Sequence, residues 1–179
     1  IEQLSESDLL KKLQQQYFNE DFLNKLMPLA HSRIKTFGDF MDLCGFFFIN
    51  QVPLSKELLC PKSLNEQQSA LILQAFLWTL EANNDWDDIG SEKASHLTAE
   101  IFSVHHKKII IPLLFGAVMG KLQGPPLFKS ISILGKEKVR ARILEGIEFL
   151  GGISNKKMVE LKKGYDKKDC KGLFQSLNR

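Results

Sequence analysis

Apolar residues recur at steps of three and four along most of the chain. In residues 91–105, SEKASHLTAEIFSVH, they are Leu97, Ile101 and Val104, and residues 63–83 repeat Leu and Phe positions in the same way. This period places the apolar side chains on one face of a helix. No long segment alternates apolar and polar residues as a half-buried strand would. The pattern therefore predicts an all-α fold.

Capping residues and glycines divide this pattern into separate helices. An acidic turn at residues 85–88 is predicted to end at Gly90, and Gly135 to end a short helix in PPLFKSISIL with proline in its first turn. The pair Gly151-Gly152 is predicted to close the next helix. The candidate N-caps are Ser5 or Ser7, Thr36, Ser63 and Ser91.

Two segments of the second half need separate treatment. Residues 107–121 are apolar enough for a strand, but Pro112 and the small residues Gly116 and Ala117 favour a tightly packed helix. Residues 154–179 predict one or two further helices with a strongly basic face. A boundary within residues 50–63 gives two packed helical subdomains, predicted as 1–60 and 61–179, the second with a basic C-terminal extension.

Composition indicates an ordinary globular protein. The 179 residues are 44% hydrophobic and 25% charged, and no apolar run approaches the roughly 20 residues that span a bilayer. No secretory signal is visible, and Ile1 at the first position predicts a piece of a longer protein. Cys44, Cys60 and Cys170 are few and odd in number, without metal-ligand spacing, which favours a reducing cytoplasm.

Charge is distributed unevenly. Residues 1–120 carry 10 basic and 15 acidic side chains, a net −5, whereas residues 121–179 carry 14 and 6, a net +8. A basic C-terminal third is consistent with a polyanionic partner. A lysine-rich solvated surface would give the same count, so charge alone leaves both interpretations open.

Motifs for catalysis, metals or nucleotides are lacking. Gly135-Lys136 is followed by Glu137, where a phosphate-binding loop needs Ser or Thr, and no convincing strand precedes it. His105 and His106 are adjacent, and neighbours on a helix point about 100° apart, which is poor for chelating one metal. We expect no catalytic residue, no metal site and no cofactor in this chain.

Three segments resemble bacterial glutamyl-tRNA synthetases, in the family's order and spacing. Residues 115–143, FGAVMGKLQGPPLFKSISILGKEKVRARI, are similar to the patterns R-x-A-L-T-G, G-P-x-L-F and L-L-G-K-E-x-x-x-x-R. Residues 1–10, IEQLSESDLL, resemble I-x-x-L-S-x-E-E-L. Residues 26–48, LMPLAHSRIKTFGDFMDLCGFFF, resemble a P-L-x-x-x-R-x-K-T-L segment before an aromatic run. The likeness extends over residues 1–148.

The resemblance implies the anticodon-binding part of a glutamate–tRNA ligase. The parent would join glutamate to tRNA-Glu with ATP and Mg²⁺, through H-I-G-H and K-[ML]-S-K-R motifs that this chain lacks, so the chain alone should be inactive. The expected partner is the anticodon loop of tRNA-Glu, with no DNA, no membrane and a monomeric state. The family fold in this region is two packed α-helical subdomains.

The resemblance also implies an RNA-binding set. Residues matching Gly124, Pro125, Leu127 and Phe128 lie against the anticodon in the family, where a thin rigid loop and apolar side chains suit unstacked bases. An arginine matching Arg33 contacts the third anticodon base in some members. A salt bridge from Arg33 to Asp39 or Asp42 is the alternative.

Other positions in the set are less direct. Phe115 stands where the family has an arginine that helps to read the first anticodon base, so either stacking replaces that arginine or recognition is relaxed. Lys136 and Arg142, in GKEKVRARI, either approach RNA phosphates or solvate their helix. The tail after Leu150 either adds phosphate contacts or caps the bundle. The alternative function is a helical protein-interaction module whose basic tail docks an acidic partner.

Overall fold

The described part of the chain is helical throughout. The computed structural model describes residues 20–30, 33–61, 64–84 and 86–177, and within these ranges it contains no strand, which confirms the all-α prediction. The predicted cap at Ser5 or Ser7 lies outside them. The α-helices of these ranges are α1 (Glu20–Ala30), α2 (Phe37–Cys44), α3 (Lys56–Leu59), α4 (Glu66–Asn83), α5 (Asp88–Phe102), α6 (Ile111–Met119), α7 (Leu127–Leu134), α8 (Lys136–Phe149), α9 (Asn155–Asp166) and α10 (Lys171–Ser176).

The chain divides into two compact units, residues 1–50 and 51–179. The first contains α1, α2 and a 3₁₀ turn at Gly45–Phe48. Phe46 and Phe47 of that turn are buried, and the ring of Phe22 in α1 meets Phe47 edge-on at 6.2 Å. The predicted N-cap of α2 is confirmed: Thr36 Oγ1 accepts from the Asp39 amide at 3.1 Å, and the Asp39 carboxylate accepts from the Thr36 amide at 2.9 Å.

In the second unit, α4 is the central helix. Residues on all of its sides are buried, as expected for a helix in the middle of a core. It packs against α3, α5, α8 and α9. The segment 51–60, which includes α3, belongs to this unit, and the subdomain limits 1–60 and 61–179 stay a prediction.

Two predicted helix starts are wrong. The N-cap of α4 is Asn65, whose side chain accepts from the Gln68 amide at 2.9 Å, while Ser63 lies outside the described residues. Helix α5 begins at Asp88 instead of Ser91, because Asp87 Oδ1 accepts from the Gly90 amide at 2.6 Å. Gly90 therefore lies in the first turn of α5 and does not end a loop. An acidic cap also suits the positive end of the helix dipole.

The apolar segment around Pro112 is helical, as predicted. A π-helical turn, His106–Ile110, leads into α6, and Pro112 occupies the first turn of α6, where proline is well tolerated. Gly116 lies directly against the backbone of Leu58 in α3. No single helix of the described residues is long and apolar enough to cross a membrane. Helix α5 and residues 106–119 together have the length and composition of a membrane span, but the pair is bent by 107°.

The basic tail forms the two helices α9 and α10 within the described residues 154–177, which confirms the prediction of one or two helices there. Leu161 and Cys170 are buried, and the Cys170 amide donates to Ile101 O of α5 at 2.8 Å. Asn65 and Gln68 at the start of α4 donate from their side-chain amides to Leu177 O and Phe174 O. The tail is therefore packed onto α4 and α5 through its own backbone.

Candidate nucleic-acid interface

The loop between α6 and α7 begins at a glycine that no other residue replaces without strain. Gly120 has φ 66°, in the left-handed region, and its amide donates to Gly116 O at 3.0 Å to end α6. A Cβ at Gly120 would also lie 2.8 Å from Pro53 O. Both the backbone conformation and the space therefore require glycine where the loop starts.

The loop folds back over α6. A Cβ on Gly124 would lie 2.9 Å from Met119 Sδ and 3.6 Å from Phe115 Cε1. Pro125, the next residue, is buried. The side of Gly124 that lacks a side chain therefore packs against α6, and the fold brings two of the predicted site residues, Phe115 and Gly124, together.

The start of α7 separates the Leu127-Phe128 pair. Leu127 is 6% exposed and packs inward, whereas Phe128 is partly exposed. Pro126 is the N-cap and is exposed, and its carbonyl accepts from Ser130 Oγ at 2.9 Å. Leu127 thus anchors the helix, and Phe128 supplies the aromatic surface.

Sequence reasoning missed three exposed residues here. Leu122 is 65% exposed, unusual for a large apolar side chain, and Gln123 and Lys129 are also exposed. The signal was available, because an apolar residue in a Gly/Pro-rich loop has no helical face to join. We call the following residues the Gly–Pro loop surface: Phe115, Leu122, Gln123, Pro126, Phe128 and Lys129.

Lys136 lies at the other end of α7. It opens α8 after Gly135, and its Nζ is 5.8 Å from the centroid of the Trp86 ring. The eight residues of α7 extend over about 12 Å, which separates Lys136 from the loop. Lys136 is exposed, so it can meet a phosphate, but it is not part of the Gly–Pro loop surface.

Arg142 is completely buried, although the sequence placed it on a candidate phosphate-binding face. Its exposed fraction is 0%, and its Nη1 donates to Val118 O at 2.6 Å. A guanidinium in this position cannot reach an RNA phosphate at the surface. The structure gives Arg142 a role inside the second unit, and the RNA contacts proposed below do not include it.

Arg33 belongs to the first unit. It follows α1, where its amide donates to Ala30 O at 2.8 Å, and it is exposed. Of its two predicted ion-pair partners, Asp39 uses its carboxylate to accept the amides of Lys35 and Thr36, both at 2.9 Å. These bonds hold the pKa of Asp39 below its usual value. The roles of Arg33 in a salt bridge and at an anticodon base both stay predictions.

The tail lysines are partly engaged within the domain. Lys162 lies over the rings of Trp78 and Tyr165, at 5.3 and 5.2 Å from their centroids, and pairs with Asp166. Lys157 Nζ donates to Gln67 Oε1 at 2.9 Å. Within residues 20–30, 33–61, 64–84 and 86–177 no three His, Cys, Asp or Glu side chains gather in a metal-binding group.

A sequence profile of the anticodon binding domain matches residues 8–147 of this chain. The chain belongs to the anticodon-binding domain family. The Gly–Pro loop surface lies within the matched range, and α9 and α10 lie beyond it.

Individual relatives of this anticodon-binding domain are glutamate–tRNA ligases. The chain is 46% identical to that of Protochlamydia amoebophila over 174 residues, which is 97% of the chain and 35% of the relative. It is 43% identical over 152 residues to that of Chlamydia trachomatis serovar L2, and 41% over 159 residues to that of Chlamydia muridarum. These alignments cover 85% and 89% of the chain, and 30% and 31% of the relatives.

The chain spans about a third of the length of the curated relatives it matches. It is thus an anticodon-binding domain homologous to the C-terminal region of glutamate–tRNA ligases. The alignment with the Protochlamydia protein leaves only five residues of this chain outside, so the similarity reaches into the tail helices.

Proposed function

We propose that this domain binds the anticodon loop of tRNA-Glu within a cytoplasmic, monomeric glutamate–tRNA ligase. The catalytic part of that enzyme, with its ATP and Mg²⁺, lies outside this chain, so the domain supplies recognition and not chemistry. The observation that carries the proposal is the Gly–Pro loop surface in the family-matched range.

Stacking on aromatic rings is the first mode of recognition that we propose. Phe128 and Phe115 are partly exposed, and Leu122 and Pro126, both exposed, add further apolar side chains from the same loop. Unstacked bases of single-stranded RNA bind such surfaces, each aromatic contact being worth roughly 1–3 kcal/mol. Phe115 in place of the family arginine favours stacking at the first anticodon base.

Hydrogen bonding to base edges is the second mode. Arg33 is exposed and carries the donor fork that pairs bidentately with a base. Lys129 and Lys136 provide positive charge at the two ends of α7 for the phosphates that flank the anticodon. Phosphate contacts fix the orientation of the RNA, and base contacts choose its sequence.

The test compares RNA stem-loops carrying the glutamate anticodon, the glutamine anticodon and an unrelated one, at two salt concentrations. Phe128→Ala and Arg33→Ala should each weaken binding of the glutamate loop roughly 5- to 150-fold. Matched controls are Phe149→Ala, an exposed phenylalanine at the end of α8, and Arg140→Ala, whose Nε pairs with Glu81 at 2.8 Å. Neither control should alter anticodon preference.

Four outcomes separate the alternatives. A preference for the glutamate loop that persists at high salt supports base recognition, and equal binding of the glutamate and glutamine loops indicates relaxed specificity. Binding of every loop that disappears with salt would reduce the site to a basic surface. Absence of any anticodon preference, with both variants unchanged, would contradict the proposal and favour a protein-interaction module.

A further inference from the structure

Arg142 carries a buried charge beneath the end of α6. A guanidinium that is withdrawn from water is costly unless hydrogen-bond acceptors surround it. One acceptor is Val118 O, 2.6 Å from Arg142 Nη1, which is a short, charge-assisted hydrogen bond. A solvent-exposed arginine would not need a carbonyl acceptor at this distance, so the burial of Arg142 indicates a specific internal role.

The acceptor occupies a particular place in α6. The last four carbonyls of a helix have no N–H partner within the helix. Gly116 O accepts a hydrogen bond from the Gly120 amide. Val118 O, two residues further along α6, accepts one from the Arg142 guanidinium of α8. Arg142 therefore caps the C-terminus of α6 from a helix that lies 24 residues away in sequence.

The end of α6 supports the loop directly. Met119, next to Val118, is the residue against which Gly124 packs, and Phe115 one turn earlier is its other neighbour. Pro125 and Leu127 are buried on either side of exposed Pro126. A shift of the last turn of α6 would thus move Gly124 and, with it, the exposed residues on either side.

We propose that Arg142 is a positioning residue for RNA binding. Through Val118 O it holds the last turn of α6, and hence the Gly–Pro loop surface, in its binding geometry without touching RNA. This inference rests on the proposed function of the surface. It replaces the phosphate contact that the sequence suggested for Arg142 with a role through the backbone of α6.

The test uses Arg142→Lys, which keeps the charge but loses the planar fork, and Arg142→Met, which loses both. Arg140→Met is the matched control on the same helix. Affinities for the three stem-loops are measured over a salt series at a temperature where each protein is fully folded. We expect Arg142→Lys to bind the glutamate loop about tenfold more weakly and to lose anticodon preference. The slope of log K against log salt should not change in Arg142→Met, because the buried charge does not meet RNA, and Arg140→Met should keep the anticodon preference.

Two results would overturn the inference. A salt slope reduced by about one in Arg142→Met, which removes the charge, would mean a direct phosphate contact. Unchanged affinity and preference in the folded variant would mean that Arg142 only stabilises the fold. If the wild-type domain itself shows no anticodon preference, it is the proposed function that fails.

A measurement on the wild-type chain covers the case in which Arg142→Lys does not fold. Native-state hydrogen exchange followed by NMR, in a denaturant series below global unfolding, reports the Arg142 guanidinium protons and the amides of residues 120–124 separately. Opening of both in one step supports the proposal. Free exchange of the loop while the guanidinium stays protected would contradict it, whether or not RNA binds.

Discussion

Tyr165 in α9 meets Trp78 in α4 edge-on, with ring centroids 5.4 Å apart, and its hydroxyl lies 3.1 Å from Thr79 Oγ1. Thr79 uses its own hydroxyl proton to donate to Ala75 O, so the Tyr165 hydroxyl is the donor of the pair. The tail beyond the family-matched range is thus built into the second unit. Phosphate contacts by its lysines stay a prediction.

Loss of this contact should weaken the second unit. Tyr165→Ala removes a partly buried ring and one hydrogen bond, and we expect the free energy of unfolding to fall by about 3 kcal/mol. Tyr165→Phe removes only the hydroxyl and should cost about 1 kcal/mol. Urea unfolding followed by circular dichroism measures both. The exposed Lys163→Ala is the control, and a Tyr165→Ala variant as stable as wild type would contradict the packing role.

Two buried helical glycines provide a matched pair. A Cβ on Gly116 would overlap Leu58 O, a backbone atom, whereas on Gly146 it would meet Leu73 Cδ1 at 3.5 Å, an ordinary contact. Gly116→Ala should therefore destabilise the domain by about 3 kcal/mol. Gly146→Ala should stabilise it by up to about 1 kcal/mol through helix propensity. Thermal unfolding of both variants tests whether only Gly116 lacks room for a side chain, and equal changes in stability would refute this.

The helix starts show what sequence pattern can and cannot decide. Thr36 was predicted correctly because Thr36 and Asp39 offer the only capping pair there. Before α4, both Ser63 with Glu66 and Asn65 with Gln68 satisfy the capping-box spacing. The choice of Asn65 accompanies contacts to the tail more than a hundred residues away, at Leu177 O and Phe174 O. The sequence around a helix start does not reveal contacts with residues so far along the chain.

His106 should make stability depend on pH. Its ring stacks on His96 at 3.8 Å, and its buried Nδ1 has no hydrogen-bond partner in the described structure. Burial, followed by repulsion from His96, lowers the pKa of His106, with smaller effects from Lys107 and His105 in the same direction and from Glu92 in the opposite one. Ser95 donates to Glu92 O, so it accepts from His106 Nε2, and protonation would add an N–H at Nδ1 without an acceptor.

The lowered pKa of His106 means that the stability of the folded domain should fall as pH drops. Below the ordinary histidine pKa of about 6.5 the unfolded chain binds a proton that the folded domain does not, so stability falls as pH drops from there to the folded pKa. Denaturant unfolding between pH 7.5 and pH 5 would measure the loss, and His106→Gln should reduce it. His105→Gln, at the exposed neighbour, should keep the wild-type dependence. A His106→Gln profile identical to wild type would exclude His106 as the source.

The three cysteines should differ in reactivity. Burial raises the pKa of the Cys170 thiol to about 11, so at pH 8 about one molecule in a thousand carries its thiolate. Cys44 is also completely buried, whereas Cys60 is partly exposed. Iodoacetamide followed by mass spectrometry should label Cys60 first, and Cys44 and Cys170 only on unfolding. Early labelling of Cys170 would show that the tail detaches readily.

The candidate site was predicted only in part from sequence. Motif likeness located the Gly–Pro loop and Phe128, but it treated Leu127 and Arg142 as surface residues. Helical spacing gave Arg142 no distinctive position among the charged residues of α8, and its burial depends on α6 offering the Val118 carbonyl. Leu122 was missed for the opposite reason, since an apolar residue is expected inside and this one is 65% exposed.

The chain has two tryptophans, Trp78 and Trp86, and both belong to the second unit. Intrinsic tryptophan emission therefore reports on residues 51–179 alone. The first unit, which contains Arg33, contributes no tryptophan emission. Trp86 beside Lys136 and Trp78 beneath Lys162 are fluorophores that each lie next to a cation. Emission and far-ultraviolet dichroism recorded on one sample would show directly whether the two units melt together.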